Sequence, residues 1–525
     1  MCIKKCSVYL FLLATIHMCV SSKILVIFPV NARSHTSLGD SIVHTLLDAG
    51  HEVTYVSPFP MKSTNSRFRF IDIRSPTTEA DKEKPHLNPV HLKNNPMPLH
   101  HILKVGSSHA QQALQHPALQ ELLQDRYEQF DLVLAEWFYS GLLAPLATVF
   151  DCPLVWYFSA DVYWQVLQMV HEPSSPIYTA EQRAFSVPAV PFTPPERAYQ
   201  LWLQLYLSGW IYYFTHYVEK PVYVEVYDRA MNIRGRMLPE YEPLVYNGSL
   251  LLINSYPPLG QSMPLPQNVK YIGGHHIDNP IKTLPKDLER VMENARNGVI
   301  FFSMGSNVKS KDFPETIKQQ LVDVFRQLDQ TVIWKFEEKI DDIPRNLHIL
   351  EWAPQLSILC HPNTKVMITH GELLSLIEAT YCGVPIIAIP LFGDQFFNID
   401  LTVARGAGIR VDFTEELPRK IFEAIHEIST NQSYRHNAES ASTIFKSRPT
   451  PVNTELLHWL RLVIDTRGAA HLRSPVQKLT VTERYCLDLL VSLLLLLWFL
   501  SKVVKLIKVY LKSTDMDSDS GKKEQ

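Results

Sequence analysis

The chain has 525 residues, 46% hydrophobic and 20% charged, with a formal net charge of -3, so it has room for two or three globular domains. No basic excess favours nucleic acid, and neither its 21 histidines nor its 7 cysteines show the spacing of a zinc site. Composition excludes more than it reveals, and the order of the residues carries the rest.

The first 22 residues read as a cleaved secretory signal: Lys4 and Lys5, an apolar stretch from Val8 to Val20, then the small pair Ser21 and Ser22. The mature chain is then expected to face an oxidising lumen. Cys2, Cys6 and Cys19 leave with the signal, and Cys486 lies at a membrane. Cys152, Cys360 and Cys382 remain, an odd and sparse set that makes no disulfide framework.

A strand-like run from Lys23 to Pro29 opens the mature chain. A loop (Val30 to Ser34), a helix-like segment ending at Ala49 and Gly50, and a second strand from Glu52 to Ser57 follow. Further strands are predicted at Phe68 to Ile73, Asp131 to Ala135 and Pro153 to Phe158, giving an open α/β domain over residues 23–275 with a parallel sheet. After a Pro-rich stretch comes an aromatic run: Tyr199, Trp202, Tyr206, Trp210, Tyr212, Tyr213 and Phe214. It walls an acceptor pocket, lies on a membrane or packs in a core.

Pro-rich sequence from Pro257 to Pro285 separates this half from a second α/β domain, residues 286–450. Its strands are predicted at Val299 to Met304, Thr331 to Phe336, Leu347 to Trp352, Lys365 to Thr369, Pro385 to Pro390 and Gly408 to Val411. Two such domains facing each other imply a cleft between them. A juxtamembrane segment (451–484) leads to a Leu- and Val-rich run from Tyr485 to Tyr510, long enough to span a bilayer, with Lys502, Lys505 and Lys508 at its C-terminal end. That gives type I topology. In the tail (511–525), Lys522 and Lys523 resemble a dilysine signal for the endoplasmic reticulum, so the expected location is the ER membrane with the α/β domains in the lumen. The sequons at Asn247 and Asn431 are candidate glycosylation sites in that compartment.

The densest run of chemistry is Trp352-Ala353-Pro354-Gln355, then Thr369-His370-Gly371-Glu372-Leu373-Leu374-Ser375 through Glu378, then Gly383-Val384-Pro385, Pro390 and Asp394-Gln395. This closely resembles the donor-binding signature of the UDP-glycosyltransferase family, which contains the glucuronosyltransferases, and its wording is similar to that of invertebrate members. The resemblance runs from the signal to the tail. It implies two facing Rossmann-like domains (the GT-B arrangement) and a UDP-sugar as co-substrate, with no other cofactor and no metal.

Each position also has a physical reason. Trp352 offers a flat face to uracil and Gln355 an amide to the base or ribose. His370 ends a strand before a helix, where its ring, Gly371 and the helix amides can meet a diphosphate. Ser303, Gly305 and Ser306, in another strand-to-helix turn, add donors. By resemblance, Glu378 accepts from the ribose hydroxyls, and Asp394 and Gln395 contact the transferred sugar.

The resemblance also implies direct displacement, in which a histidine deprotonates the acceptor hydroxyl and a carboxylate on a neighbouring strand orients it. The matching histidine is His35, and its partner aligns with Glu136, with Asp131 as fallback at the other end of that strand. Glu372 departs from the family's usual glycine: either it points away and complements the helix N-terminus, or it weakens donor binding. UDP-glucose is the expected donor and UDP-glucuronate the second, with a small lipophilic hydroxylated acceptor. Homo- or hetero-oligomerisation stays open. A dinucleotide oxidoreductase is disfavoured, because Asn31-Ala32-Arg33 stands where a glycine fingerprint belongs. A lipophile carrier that has lost the donor side is the remaining alternative.

Overall fold

The computed structural model describes residues 21–520 apart from 75–97, 171, 173–174, 177–178, 183–190, 258, 261 and 307. Residues 1–20 of the expected signal (1–22) and residues 521–525 of the tail, which hold the dilysine pair, lie outside the described residues. The chain forms two compact units, 1–473 and 474–525.

The larger unit holds two parallel sheets. The first comprises β1 (Lys23–Ile27), β2 (Glu52–Ser57), β3 (Phe68–Asp72), β4 (Leu132–Glu136), β5 (Leu154–Phe158), β6 (Leu250–Ile253) and β7 (Val269–Tyr271), in the order β3-β2-β1-β4-β5-β6-β7. The second comprises β8 (Val299–Ser303), β9 (Thr331–Lys335), β10 (Leu347–Leu350), β11 (Thr364–Thr369), β12 (Ile386–Ala388) and β13 (Gly408–Arg410), in the order β10-β9-β8-β11-β12-β13. In both, the first strand lies beside the fourth, so strand order reverses there and a crevice opens at the C-terminal strand ends. The α/β reading thus holds, with two Rossmann-like sheets.

The central strands form because they are apolar on both faces. β4, β5 and β8 are buried along their whole length, as expected for parallel strands covered by helices on each side. Along β1 the side chains alternate between layers, Leu25 and Ile27 into one core and Ile24 and Val26 into the other. β6 and β7 were not anticipated, and β7 falls inside the Pro-rich stretch read as a linker. Helix Val452–Asp465 presents Leu456, Leu460 and Val463 at helical spacing to the same core as Ile24 and Val26, so the chain returns from the second sheet to the first.

The aromatic run is not core. It lies on helix Pro194–Tyr213, started by a capping box between Thr193 and Glu196, and on the π-helical turn Phe214–Glu219. Gln200, Leu203, Gln204 and Leu207 face inward, while Tyr199, Trp202, Tyr206, Tyr212 and Tyr213 stand exposed. Only Phe214 of that run, with Thr215 and Glu219, lines a small cavity with Trp137, Tyr139 and Gln165.

The cysteine reading also needs correction. Cys360 and Cys382 form one disulfide, tying the end of helix Gln355–Leu359 to the end of helix Leu373–Cys382. Cys152 is free, and burial pushes its thiol up to about 12.

In the smaller unit, helix Leu487–Ser520 contains an apolar stretch, Leu487–Tyr510, of mean hydropathy 2.2. Its 24 residues rise about 36 Å, long and apolar enough to cross a bilayer. Tyr485 and Cys486, placed in the span by sequence, precede this helix.

Candidate functional site

His35 is the third residue of helix Arg33–Asp48, immediately beyond β1, and Glu136 is the last residue of β4. β1 and β4 are neighbours, with Ile27 opposite Ala135, so both side chains reach the crevice where the first sheet reverses order. His35 Nδ1 lies 2.5 Å from Glu136 Oε1. Glu136 is buried, and its Oε2 has no hydrogen-bond partner among the described residues, so its charge is directed at the ring. Burial alone would lower the His35 pKa. The Glu136 charge and hydrogen bond, then the charges of Glu372 and Asp394, outweigh burial and raise it above the ordinary histidine value. Asp131 is excluded as the partner, because its carboxylate accepts from the Lys23 amide at the opposite end of β4.

His370 follows β11 at the corresponding crevice of the second sheet, and the 303–306 segment follows β8 beside it. Gly305 packs on the His370 ring: its φ is +81°, and a Cβ there would lie 2.6 Å from His370 Cε1. Only glycine satisfies both conditions. The segment is not a simple strand-to-helix turn, since a 3-10 turn (Ser310–Asp312) precedes the next helix at Glu315. It is held from elsewhere: the Ser303 hydroxyl accepts from the Gly305 amide, and Lys335 Nζ donates to the Gly305 carbonyl at 2.9 Å while pairing with Glu337. Ser306 is half-buried next to it. Lys335 had no sequence signal beyond its place at a strand end.

Glu372 does not point away. It is the N-cap of helix Leu373–Cys382 but makes no capping hydrogen bond. Its Oε2 lies 3.1 Å from His370 Nε2 instead. Burial would raise its pKa, but the His370 hydrogen bond and charge, the neighbouring Ser34 hydroxyl and the His35 charge lower it to about 2. Glu372 therefore joins the two crevices, a carboxylate from the second sheet standing beside the histidine of the first. Gly371, at φ +92°, leaves room for Ile399, which a Cβ would meet at 2.7 Å.

The remaining predicted residues line the same edge. Trp352 is 67% exposed and presents a flat indole to solvent. Gln355 Nε2 donates to Glu378 Oε2 at 2.8 Å and to Ser375 Oγ at 3.1 Å. Burial, helped by Asp278 and Glu372 against the Gln355 bond, raises Glu378 to about 7. Asp394 occupies the N-cap position of helix Gln395–Ala404 without a capping hydrogen bond and accepts from Asn398 Nδ2 at 2.9 Å; burial raises its pKa. Gln395 Oε1, in the side chain, accepts from the Leu391 and Phe392 amides and so shapes the Asp394 loop. Asn398, which also reaches the Gly371 carbonyl, was missed, although its i+4 spacing from Asp394 was legible. Asn247 is exposed and accepts from Arg473, whereas Asn431 is exposed at a junction between two helices.

Beyond Glu136 the chain continues as Trp137, Phe138 and Tyr139. Phe138 packs edge-on against His35 at 5.1 Å, and Trp137 and Tyr139 line the cavity described above. The histidine therefore stands between an aromatic wall and the second crevice.

Residues 22–524 match the sequence profile of the family described as UDP-glucoronosyl and UDP-glucosyl transferase. The chain belongs to this family. It is 29% identical over 492 residues to UDP-glucosyltransferase 2 of Dactylopius coccus, covering 93% of this chain and 92% of that one. It is 35% identical over 296 residues to human 2-hydroxyacylsphingosine 1-beta-galactosyltransferase, covering 55% and 54%. Among solved structures, the calicheamicin glycosyltransferase CalG4 superimposes with a TM-score of 0.55 at 17% identity, covering 85% of this chain and 99% of that one. A UDP-glucosyltransferase of Polygonum tinctorium gives 0.55 at 14% identity over 85% and 99%. The fold is GT-B, and this family member is a glycosyltransferase acting between a UDP-sugar and an acceptor.

Proposed function

We propose that the protein transfers glucose from UDP-glucose to a hydroxyl of a small lipophilic acceptor, with inversion at the anomeric carbon. The observation that carries this reading is the 2.5 Å contact between His35 Nδ1 and Glu136 Oε1 at the edge that faces His370 and Glu372. With Nδ1–H donating to Glu136, Nε2 is the basic nitrogen and accepts the acceptor's proton. The acceptor oxygen then bonds to the anomeric carbon as the carbon–oxygen bond to UDP breaks, and UDP leaves with the electron pair.

Trp352 stacks on uracil and Gln355 supports the base or ribose. Glu378 takes the ribose hydroxyls; Ser303, Gly305, Ser306, His370 and Gly371 surround the diphosphate; Asp394 and Gln395 face the sugar. The proposal calls for no metal and no further cofactor. Three carboxylates around His35, those of Glu136, Glu372 and Asp394, oppose a sugar that itself carries a carboxylate, which favours UDP-glucose over UDP-glucuronate. The aromatic wall of Trp137, Phe138 and Tyr139 favours a lipophilic acceptor.

The apolar helix anchors the chain in the ER membrane with its α/β domains in the lumen. The Cys360–Cys382 bridge fits that oxidising compartment, where Asn247 and Asn431 are available to glycosylation.

UDP release from UDP-glucose and UDP-glucuronate, measured in membranes with a panel of phenolic acceptors, tests the proposal. Acceptor-dependent release that vanishes in His35→Ala is expected. Folded protein that binds lipophiles without releasing UDP would replace the proposal with a carrier.

A further inference from the structure

His275 and His276 follow β7 side by side in the segment that leads to the second sheet, and their surroundings are opposite. His275 is a satisfied core residue: Nε2 meets the Tyr157 hydroxyl at 3.0 Å and Nδ1 the Ser41 hydroxyl at 3.2 Å. The His276 side chain is only 7% exposed, yet neither of its ring nitrogens has a hydrogen-bond partner among the described residues. Its Nε2 stands 3.8 Å from Glu378 Oε1, beyond hydrogen-bond reach.

Burial disfavours the charged form of both groups. Burial, opposed by Asp278, lowers His276 to about 4, and burial raises Glu378 to about 7. With the ring neutral, the 3.8 Å approach to Glu378 is no ion pair, so it does not compensate for the ring's desolvation. A buried imidazole with one free donor and one free acceptor, beside a carboxyl whose other oxygen is already held by Gln355, is a recognition element that lacks its ligand.

We propose that His276 is a donor-recognition residue that hydrogen-bonds the ribose diol of the UDP-sugar together with Glu378. The inference rests on the reading above that Glu378 faces the ribose. A vicinal diol suits the pair chemically, since each hydroxyl both donates and accepts and can satisfy a neutral imidazole and a carboxyl at once. It also places the segment between the two sheets in direct contact with the nucleotide.

Binding of UDP and of 2′-deoxy-UDP to the detergent-solubilised full chain tests this without reference to the sugar or the acceptor. The wild type is expected to prefer UDP. His276→Ala is expected to weaken UDP binding about tenfold and to remove most of that preference, because the site then loses a hydrogen bond to the hydroxyl. His276→Gln, which keeps a donor and an acceptor, is expected to retain part of it. The melting temperature of His276→Ala should change little, because the packing lost with the ring is offset by removing a buried polar group that has no hydrogen-bond partner among the described residues. An unchanged UDP to 2′-deoxy-UDP ratio in His276→Ala, while Glu378→Gln abolishes it, would overturn the role of His276 alone. A ratio unchanged in both variants would overturn the ribose reading of Glu378 as well. A lower melting temperature with unchanged UDP affinity would make His276 a structural residue and also refute the proposal.

Discussion

The crevices of the two sheets share a strand order but differ in how complete they are. At the first, His35 already holds its hydrogen bond to Glu136 and its ring is fixed against Phe138. At the second, Trp352 projects into solvent, the Glu378 carboxyl is raised towards neutrality, and His370 is bonded to the chain's own Glu372. The groups proposed for chemistry are preorganised, which lowers the reorganisation required in the transition state. Those proposed for donor recognition are left to be completed by a ligand. A disulfide nonetheless braces the second crevice, fixing the helices that carry Gln355 and Glu378.

The largest test removes the preorganised side. His35→Ala should lower kcat by about 10³-fold with little change in KM for the donor, as loss of a general base requires. Glu136→Gln should also be impaired, and the double variant should lose no more than His35→Ala alone. Additive losses would separate the two residues.

Next comes the brace. Replacing Cys360 and Cys382 by Ser opens a loop of sequence separation 22 and should cost about 3 kcal/mol of stability, read by denaturant melts. Donor KM should rise and acceptor KM should not. Trp352→Ala should raise donor KM about tenfold, in line with about 1–3 kcal/mol for a base stacked on an aromatic ring. Because Trp352 is exposed, thermal stability should hold, and a large loss of stability would mean that it packs.

The smallest effect concerns the residue that links the two crevices. His35 must be deprotonated to act as base, and its pKa is raised by Glu136, Glu372 and Asp394 against burial. The acid limb of kcat/KM should therefore lie above the ordinary histidine value. Glu372→Gln removes one negative charge and should move that limb to lower pH by less than about one unit. Glu372→Gly should leave turnover unchanged or raise it. An unmoved limb would disconnect Glu372 from His35, and a collapse of turnover in Glu372→Gly would make the carboxylate indispensable.

Much of this was legible from local pattern. Runs such as Val-Ile-Phe-Phe and Leu-Val-Trp-Tyr-Phe are apolar on both faces and suit buried parallel strands, so the strand set around both crevices could be read directly. β7 could not, because a three-residue strand amid prolines has no period to detect, whereas β6, the buried apolar run Leu250–Ile253, obeys the same rule and was passed over. The family signature named His370, Glu378 and Asp394, but it did not indicate which groups each would meet.

What the sequence by itself determined was the α/β class, the apolar C-terminal stretch and which residues to propose for the site, because these depend on periodicity and short spacings. Tertiary structure alone decided that Asp131 is taken by the Lys23 amide, that Glu372 turns towards His370 and His35, and that Cys360 joins Cys382. It also left His276 unpartnered while His275 is satisfied. These outcomes turn on which strand ends become neighbours and on which polar groups are buried together, and both are set by contacts between residues far apart in the chain.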